Sequence, residues 1–179
     1  MTISHAYFND RTINVRIMGV DPGTVRMGYG IIEGEGDDAR SVDFGVLTAP
    51  ASTAGPERLA LLFEGLTEVI ARHKPDVVAV EEPFVAANVR SAMLVGEARA
   101  LALLAAARAR IPVRQYSPAE VKQSVTGHGA SPKEQVQTMV RLILRLDAVP
   151  RPNDAADALA VALCHVRRVR LEQALERGR

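Results

Sequence analysis

The sequence predicts an α/β fold, a mixed five-stranded sheet with its first three strands antiparallel, flanked by helices. Three β-rich runs joined by short links rich in Gly and Asp open the pattern and read as a meander. Continuous apolar runs then alternate with segments of helical spacing, as buried parallel strands and their crossover helices do. The resulting order is β-β-β-α-β-α-β-α-α-α. A length of 179 residues, 47% hydrophobic and 24% charged, suits one domain with its own core.

The first strand spans Val15–Asp21 and stops at the Pro22-Gly23 turn. Met27–Ile32 reads as the second strand and Ala39–Leu47 as the third. From Pro56 to His73 the apolar positions are 59, 62, 63, 66, 69 and 70, which is one face of a helix. Asp76–Glu82 contains Val77-Val78-Ala79-Val80, a run that suits a strand covered on both sides. An Ala/Leu-rich helix follows over Asn88–Arg110, then a short strand over Val113–Tyr116. Ser117-Pro118-Ala119-Glu120 and Ser131-Pro132-Lys133-Glu134 each predict a helix start. Ser caps, Pro takes the first helical position, and Glu closes a capping box. Thr126–Ala130 between them, with Gly127 and Gly129, reads as a flexible connector. The last helix begins near Asn153, after Pro150 and Pro152. Residues 1–14 read as a flexible N-terminal extension, 15–169 as a single domain, and 170–179 as a polar tail that frays.

Composition excludes a disordered chain, a collagen and a disulfide scaffold. The lone Cys164 cannot form an internal disulfide and fits a reducing, cytoplasmic setting. The most apolar stretch, Leu94–Ala109, is broken by Glu97, Arg99 and Arg108, so no membrane span is expected. The net charge of +1 by itself gives no support for a nucleic-acid partner. The charge is uneven, however. Residues 88–145 hold nine cations against three acids, which leaves the remainder of the chain net acidic. A basic segment beside an acidic site suits work on a polyanion, although some of these arginines will only solvate helix faces.

Four acids could supply the chemistry. Asp21 ends a buried strand, at the sheet edge where α/β ligands bind, or else it caps its own turn. Glu81 and Glu82 end the second buried run and must face opposite sides, so only one can join Asp21. Asp154 and Asp157 lie three apart near a helix N-terminus, where acids also occur simply to complement the dipole. Asp157 leads into an almost wholly apolar helix, so its charge needs a partner. Asp21, Glu81, Asp154 and Asp157 together would need cations. Oxygen-only donors favour Mg²⁺ or Mn²⁺, and four carboxylates suit a two-metal site for displacement at phosphorus. Zinc is a poor match, because His5, His73, His128 and His165 are scattered.

These acids fall in Gly19-Val20-Asp21-Pro22-Gly23-Thr24, Val80-Glu81-Glu82-Pro83-Phe84 and Asp154-Ala155-Ala156-Asp157-Ala158-Leu159-Ala160. With Gln115-Tyr116-Ser117-Pro118 leading to Val121-Lys122-Gln123, and Gly127-His128-Gly129 leading to Lys133-Glu134-Gln135-Val136, the chain resembles the RuvC family of Holliday junction resolvases from Val15 to Arg168. The resemblance implies an RNase H-like fold and a Mg²⁺-dependent endodeoxyribonuclease with two Mg²⁺ per site, for which Mn²⁺ can substitute. It implies paired symmetric nicks across a four-way DNA junction, leaving 5′-phosphate and 3′-hydroxyl ends. By the same resemblance Asp21, Glu81, Asp154 and Asp157 are the metal ligands, some members having His at the position of Asp154. Lys122 and Lys133 lie near the DNA and the scissile phosphate; they are two of only three lysines in a chain that otherwise uses arginine. Phe84 stacks on opened bases, and Asn88 and Arg90 are further DNA-binding candidates. A homodimer is implied, with the Asn88–Arg110 helix as its candidate seam, as are RuvA and RuvB as partners and a cytoplasmic, nucleoid-associated setting. Glu82 departs from the usual Gln, Ala87 stands where a basic residue is expected, and residues 1–14 have no usual counterpart. Three other readings stay open: a YqgF-like RNA-processing nuclease, a non-catalytic junction-binding protein, and an actin-like ATPase, whose two domains 179 residues cannot hold.

Overall fold

A computed structural model describes residues 15–34, 36–82 and 89–178. The strands are β1 (Arg16–Asp21), β2 (Arg26–Glu33), β3 (Arg40–Thr48), β4 (Val77–Glu81) and β5 (Val113–Tyr116). The helices are α1 (Gly55–His73), α2 (Val89–Arg108), α3 (Pro118–Thr126), α4 (Lys133–Ile143) and α5 (Asn153–Arg177). The element order is the expected one, with ends shifted by a residue or two. The sheet runs β3-β2-β1-β4-β5. β1 and β2, and β2 and β3, pair antiparallel, while β1–β4 and β4–β5 are parallel.

Alternation along β1 and β4 sorts their side chains between two cores. Met18, Val20, Val78 and Val80 face one side, against Leu62 and Leu66 of α1 and Ala98, Ala102 and Ala106 of α2. Ile17 and Ala79 face the other side, with Val121 and Val125 of α3, Val136 and Val140 of α4, and most of α5. The central helix α5 is buried at every position from Ala155 to Val166 except Asp157. It lies unusually close to the sheet because β1 and β2 offer glycine there. A Cβ on Gly19 would stand 2.0 Å from the Ala158 carbonyl oxygen, and one on Gly28 would stand 2.0 Å from that of Asp154.

Three expectations need correction. Ser131 does not cap α4. Its residue is buried, and its hydroxyl bonds the Thr126 hydroxyl at 2.8 Å. The helix therefore starts at Lys133 behind Pro132, without a side-chain cap. The same bond ties the ends of the 126–131 connector, which is a closed turn and not a free one. The polar C-terminal segment does not fray after Arg168, because α5 continues to Arg177 with an Arg168–Glu172 pair at 3.0 Å. Among the described residues no helix is long and apolar enough to cross a membrane.

Candidate active site

Alternation fixes the first pair of acids. Asp21 and Glu81 end adjacent parallel strands just past the Val20–Val80 pairing. Each is two residues beyond a position that faces α5, Gly19 for Asp21 and Ala79 for Glu81. Both carboxylates therefore come together under α5, where the Glu81 charge disfavours ionisation of Asp21. Glu82 points the other way and is exposed. The close seat of α5 on Gly28 sets its first turn across the same sheet end, bringing in Asp154 and Asp157. All four predicted acids thus come to one place.

Their charges are poorly balanced. Burial, then the charges of Glu81, Asp157 and Asp154, push the Asp21 carboxyl up to about 8. Burial and the neighbouring Asp157 also raise Glu81, and burial raises Asp157. Three cations of the chain answer part of this. Lys133 Nζ lies 2.5 Å from Asp157 Oδ2. Burial works against the lysine's charge, but the hydrogen bond to Asp157 and the nearby Asp21 and Asp154 outweigh it and raise its pKa. Arg26 Nε meets Asp154 Oδ2 at 2.9 Å. Lys122, on α3, is close enough to Glu81 to favour its charged form.

With Asp157 turned onto Lys133 and Asp154 onto Arg26, no three acidic, His or Cys side chains among the described residues enclose a metal position. The donor chemistry nevertheless fits hard divalent cations, because four carboxylates face a deficit of positive charge that Lys133 and Arg26 only partly fill. Phe84 and Asn88 lie outside the described residues, and only the backbone of Arg90 is described, in the first turn of α2.

Sequence reasoning missed three residues. Arg26 fell just before the expected second strand and carried no reading. Gln137, one turn beyond Lys133 on α4, sits beside Asp157, and its buried Nε2 has no hydrogen-bond partner. The i, i+4 spacing of Lys133 and Gln137 was the available signal. His165 reads as a continuation of the Asp154 stripe, yet it is buried deep in the core. Its Nδ1 is 2.7 Å from the Tyr116 hydroxyl, and burial lowers its pKa to about 4.

Comparisons with known proteins identify the family. The family model described as "Crossover junction endodeoxyribonuclease RuvC" matches residues 17–165. A protein of that name from Dehalococcoides mccartyi is 55% identical over 151 residues, covering 84% of this chain and 90% of its own. Thermus thermophilus RuvC, solved in complex with Holliday junction substrate, superposes with a TM-score of 0.84 at 38% identity, over 88% of this chain and 96% of that one. The yeast mitochondrial Holliday junction resolvase, at 14% identity and a TM-score of 0.62 over 92% and 85% of the two chains, shares the fold. From the acids at the sheet end to these matches, the findings place the chain in the RuvC family of crossover junction endodeoxyribonucleases, with that family's RNase H-like architecture.

Proposed function

We propose that the chain resolves four-way DNA junctions by hydrolysing a phosphodiester in each of two opposed strands. The observation that carries this is the meeting of Asp21 and Glu81 under the Asp154–Asp157 turn of α5, in a chain of the RuvC family. Asp21, Glu81, Asp154 and Asp157 would hold two Mg²⁺, or Mn²⁺ in their place. Bound there, the ions supply an activated water and stabilise the leaving 3′ oxygen. Lys133 exchanges its Asp157 partner for the phosphate and offsets charge that builds up there. Lys122 sits on the other side, beside Glu81, and adds positive charge toward the strand. Buried Gln137 stands beside Asp157 with an unused amide N–H, which would steady that carboxylate once Lys133 turns to the phosphate. The products carry 5′-phosphate and 3′-hydroxyl ends.

A junction has near two-fold symmetry, so two sites on a C₂ dimer would reach opposed strands. The outer stripe of α2 supports this as the seam, with Met93 65% and Leu104 51% exposed while Ala98, Ala102 and Ala106 pack inward. RuvA and RuvB as partners and the bacterial cytoplasm, at the nucleoid, complete the reading. Phe84, Asn88 and Arg90 are proposed as DNA contacts.

The test uses a synthetic four-way junction and a linear duplex of matching sequence, with and without Mg²⁺. Paired nicks on the junction alone, dependent on the metal and abolished by Asp157→Asn, are expected. Equal cutting of the duplex, or cutting that survives Asp157→Asn, would sink the proposal.

A further inference from the structure

Beside the acids lies a cleft of about 410 Å³, lined by Arg26, Lys133, Arg151, Pro152, Asn153 and Asp154. It draws one cation each from β2, from α4 and from the α4–α5 connection, three elements far apart in sequence. Among the described residues its only acid is Asp154, already paired with Arg26. Lys133 is committed to Asp157. Arg151 bonds only the neutral Asn153 side-chain oxygen, so among the described residues its charge meets no acid. Arg26 engages Asp154 through Nε alone, and its guanidinium carries further N–H donors. Arg151 is therefore the cation of this lining left without an acid among the described residues. It opens directly onto the turn of α5 that carries Asp154.

We infer that this cleft is a phosphate subsite, in which Arg26 and Arg151 hold a backbone phosphate of the cut strand next to the scissile one. The inference rests on the junction-cleaving reading and adds two residues to it. The ligand chemistry follows from the lining. Three cations and an amide suit an anion with several acceptor oxygens, and guanidinium groups bind phosphate through two parallel hydrogen bonds. A ligand already threading the acid site must leave through a neighbouring opening, and this cleft shares Lys133 and Asp154 with that site. Such a contact fixes the register of the strand and carries no base information. Arg26 adds a second effect, because binding phosphate through its remaining donors also pulls charge away from Asp154.

The test is binding of a synthetic four-way junction in a chelating buffer, where no strand is cut, followed by fluorescence anisotropy over a range of salt concentrations. Arg151→Ala is the primary variant, since Arg151 is exposed and touches none of the acids. It should weaken binding and reduce the slope of log affinity against log salt by roughly one. Arg26→Ala should do the same, while Arg26→Lys keeps the slope. Arg40→Ala, 70% exposed at the opposite end of the sheet, should leave slope and affinity as in the wild type. Thermal melts confirm that each variant folds. Unchanged slopes in both Arg151→Ala and the Arg26→Ala/Arg151→Ala double variant, with the wild type binding normally, overturn the subsite alone. A wild-type chain that ignores the junction overturns the subsite and the functional reading together.

Discussion

Two helix starts in this molecule are written in nearly the same letters and do different things. Ser117-Pro118-Ala119-Glu120 opens α3 and Ser131-Pro132-Lys133-Glu134 opens α4. At α3 the capping box forms: Ser117 Oγ accepts from the Glu120 N–H at 3.3 Å, and Glu120 Oε2 accepts from the Ser117 N–H at 2.9 Å. At α4 the serine is buried against Thr126, the box is absent, and a lysine occupies the first helical position. A cation there opposes the helix dipole. What offsets it is Asp157 at 2.5 Å, across the active site. Local code decides α3. Tertiary contact decides α4, and the result is a helix end built for chemistry at a cost in intrinsic stability.

The largest effect should therefore come from Lys133. Replacing it with Ala is expected to lower junction cleavage by about 10²–10³, the scale for losing one preorganised charge donor. Lys122, which stands near Glu81 without bonding it, should cost about tenfold, or ~1.4 kcal/mol. Single-turnover rates on a four-way junction measure both. Equal losses would erase the difference between the two helix starts.

Acidity gives the next contrast. Asp21 is held up to about 8 in the folded chain, against 3.8 for the ordinary carboxyl. Between those values the folded state keeps a proton that the unfolded chain has released. Metal-free stability from this group is present in full below about pH 4 and is lost as pH rises toward about 8. Thermal melts in chelator should drop by a few degrees from mildly acidic to mildly alkaline buffer. Asp21→Asn should flatten that fall. Added Mg²⁺ should stabilise more as pH rises, because the ion competes with that proton.

Serine deletions come third. Ser131→Ala removes a buried hydroxyl and its bond to the half-buried Thr126 hydroxyl, and should cost ~1–1.5 kcal/mol in denaturant unfolding. Ser117→Ala removes an exposed cap and should cost ~1 kcal/mol. If Ser117→Ala proved the costlier change, the claim that burial governs the α4 start would fail.

The same contrast marks how far the sequence could be read. The element order, the antiparallel first three strands, the positions of the four acids and the α3 cap were legible because each depends on short-range pattern. Strand ends supply Asp21 and Glu81, and helical spacing supplies Asp154 and Asp157. The Ser131–Thr126 bond, the Arg26–Asp154 pair and the Tyr116–His165 pair were not, because each joins residues whose meeting depends on packing. Arg26 and Asp154 are 128 positions apart. The seat of α5 was partly legible, since glycines at 19, 28 and 30 within strands signal a close neighbour without naming it.

The smallest prediction separates the two glutamates of the paired motifs. Hydrogen bonds from the Ser117 backbone and side chain hold Glu120 below the usual carboxylate range. Its folded pKa is depressed, so its contribution is present above about 4.5 and is lost as pH falls through the lower, folded value. Glu120→Gln should therefore reduce stability at neutral pH by a fraction of ~1 kcal/mol, and the deficit should vanish on acidification. Glu134 has no serine to close on, because Ser131 is turned inward. Glu134→Gln should change stability less at neutral pH. Denaturant unfolding of both variants across the acidic range reads this directly. A matching acid limb in Glu134→Gln would mean that the α4 box closes in solution, and that both serines cap as their sequence suggests.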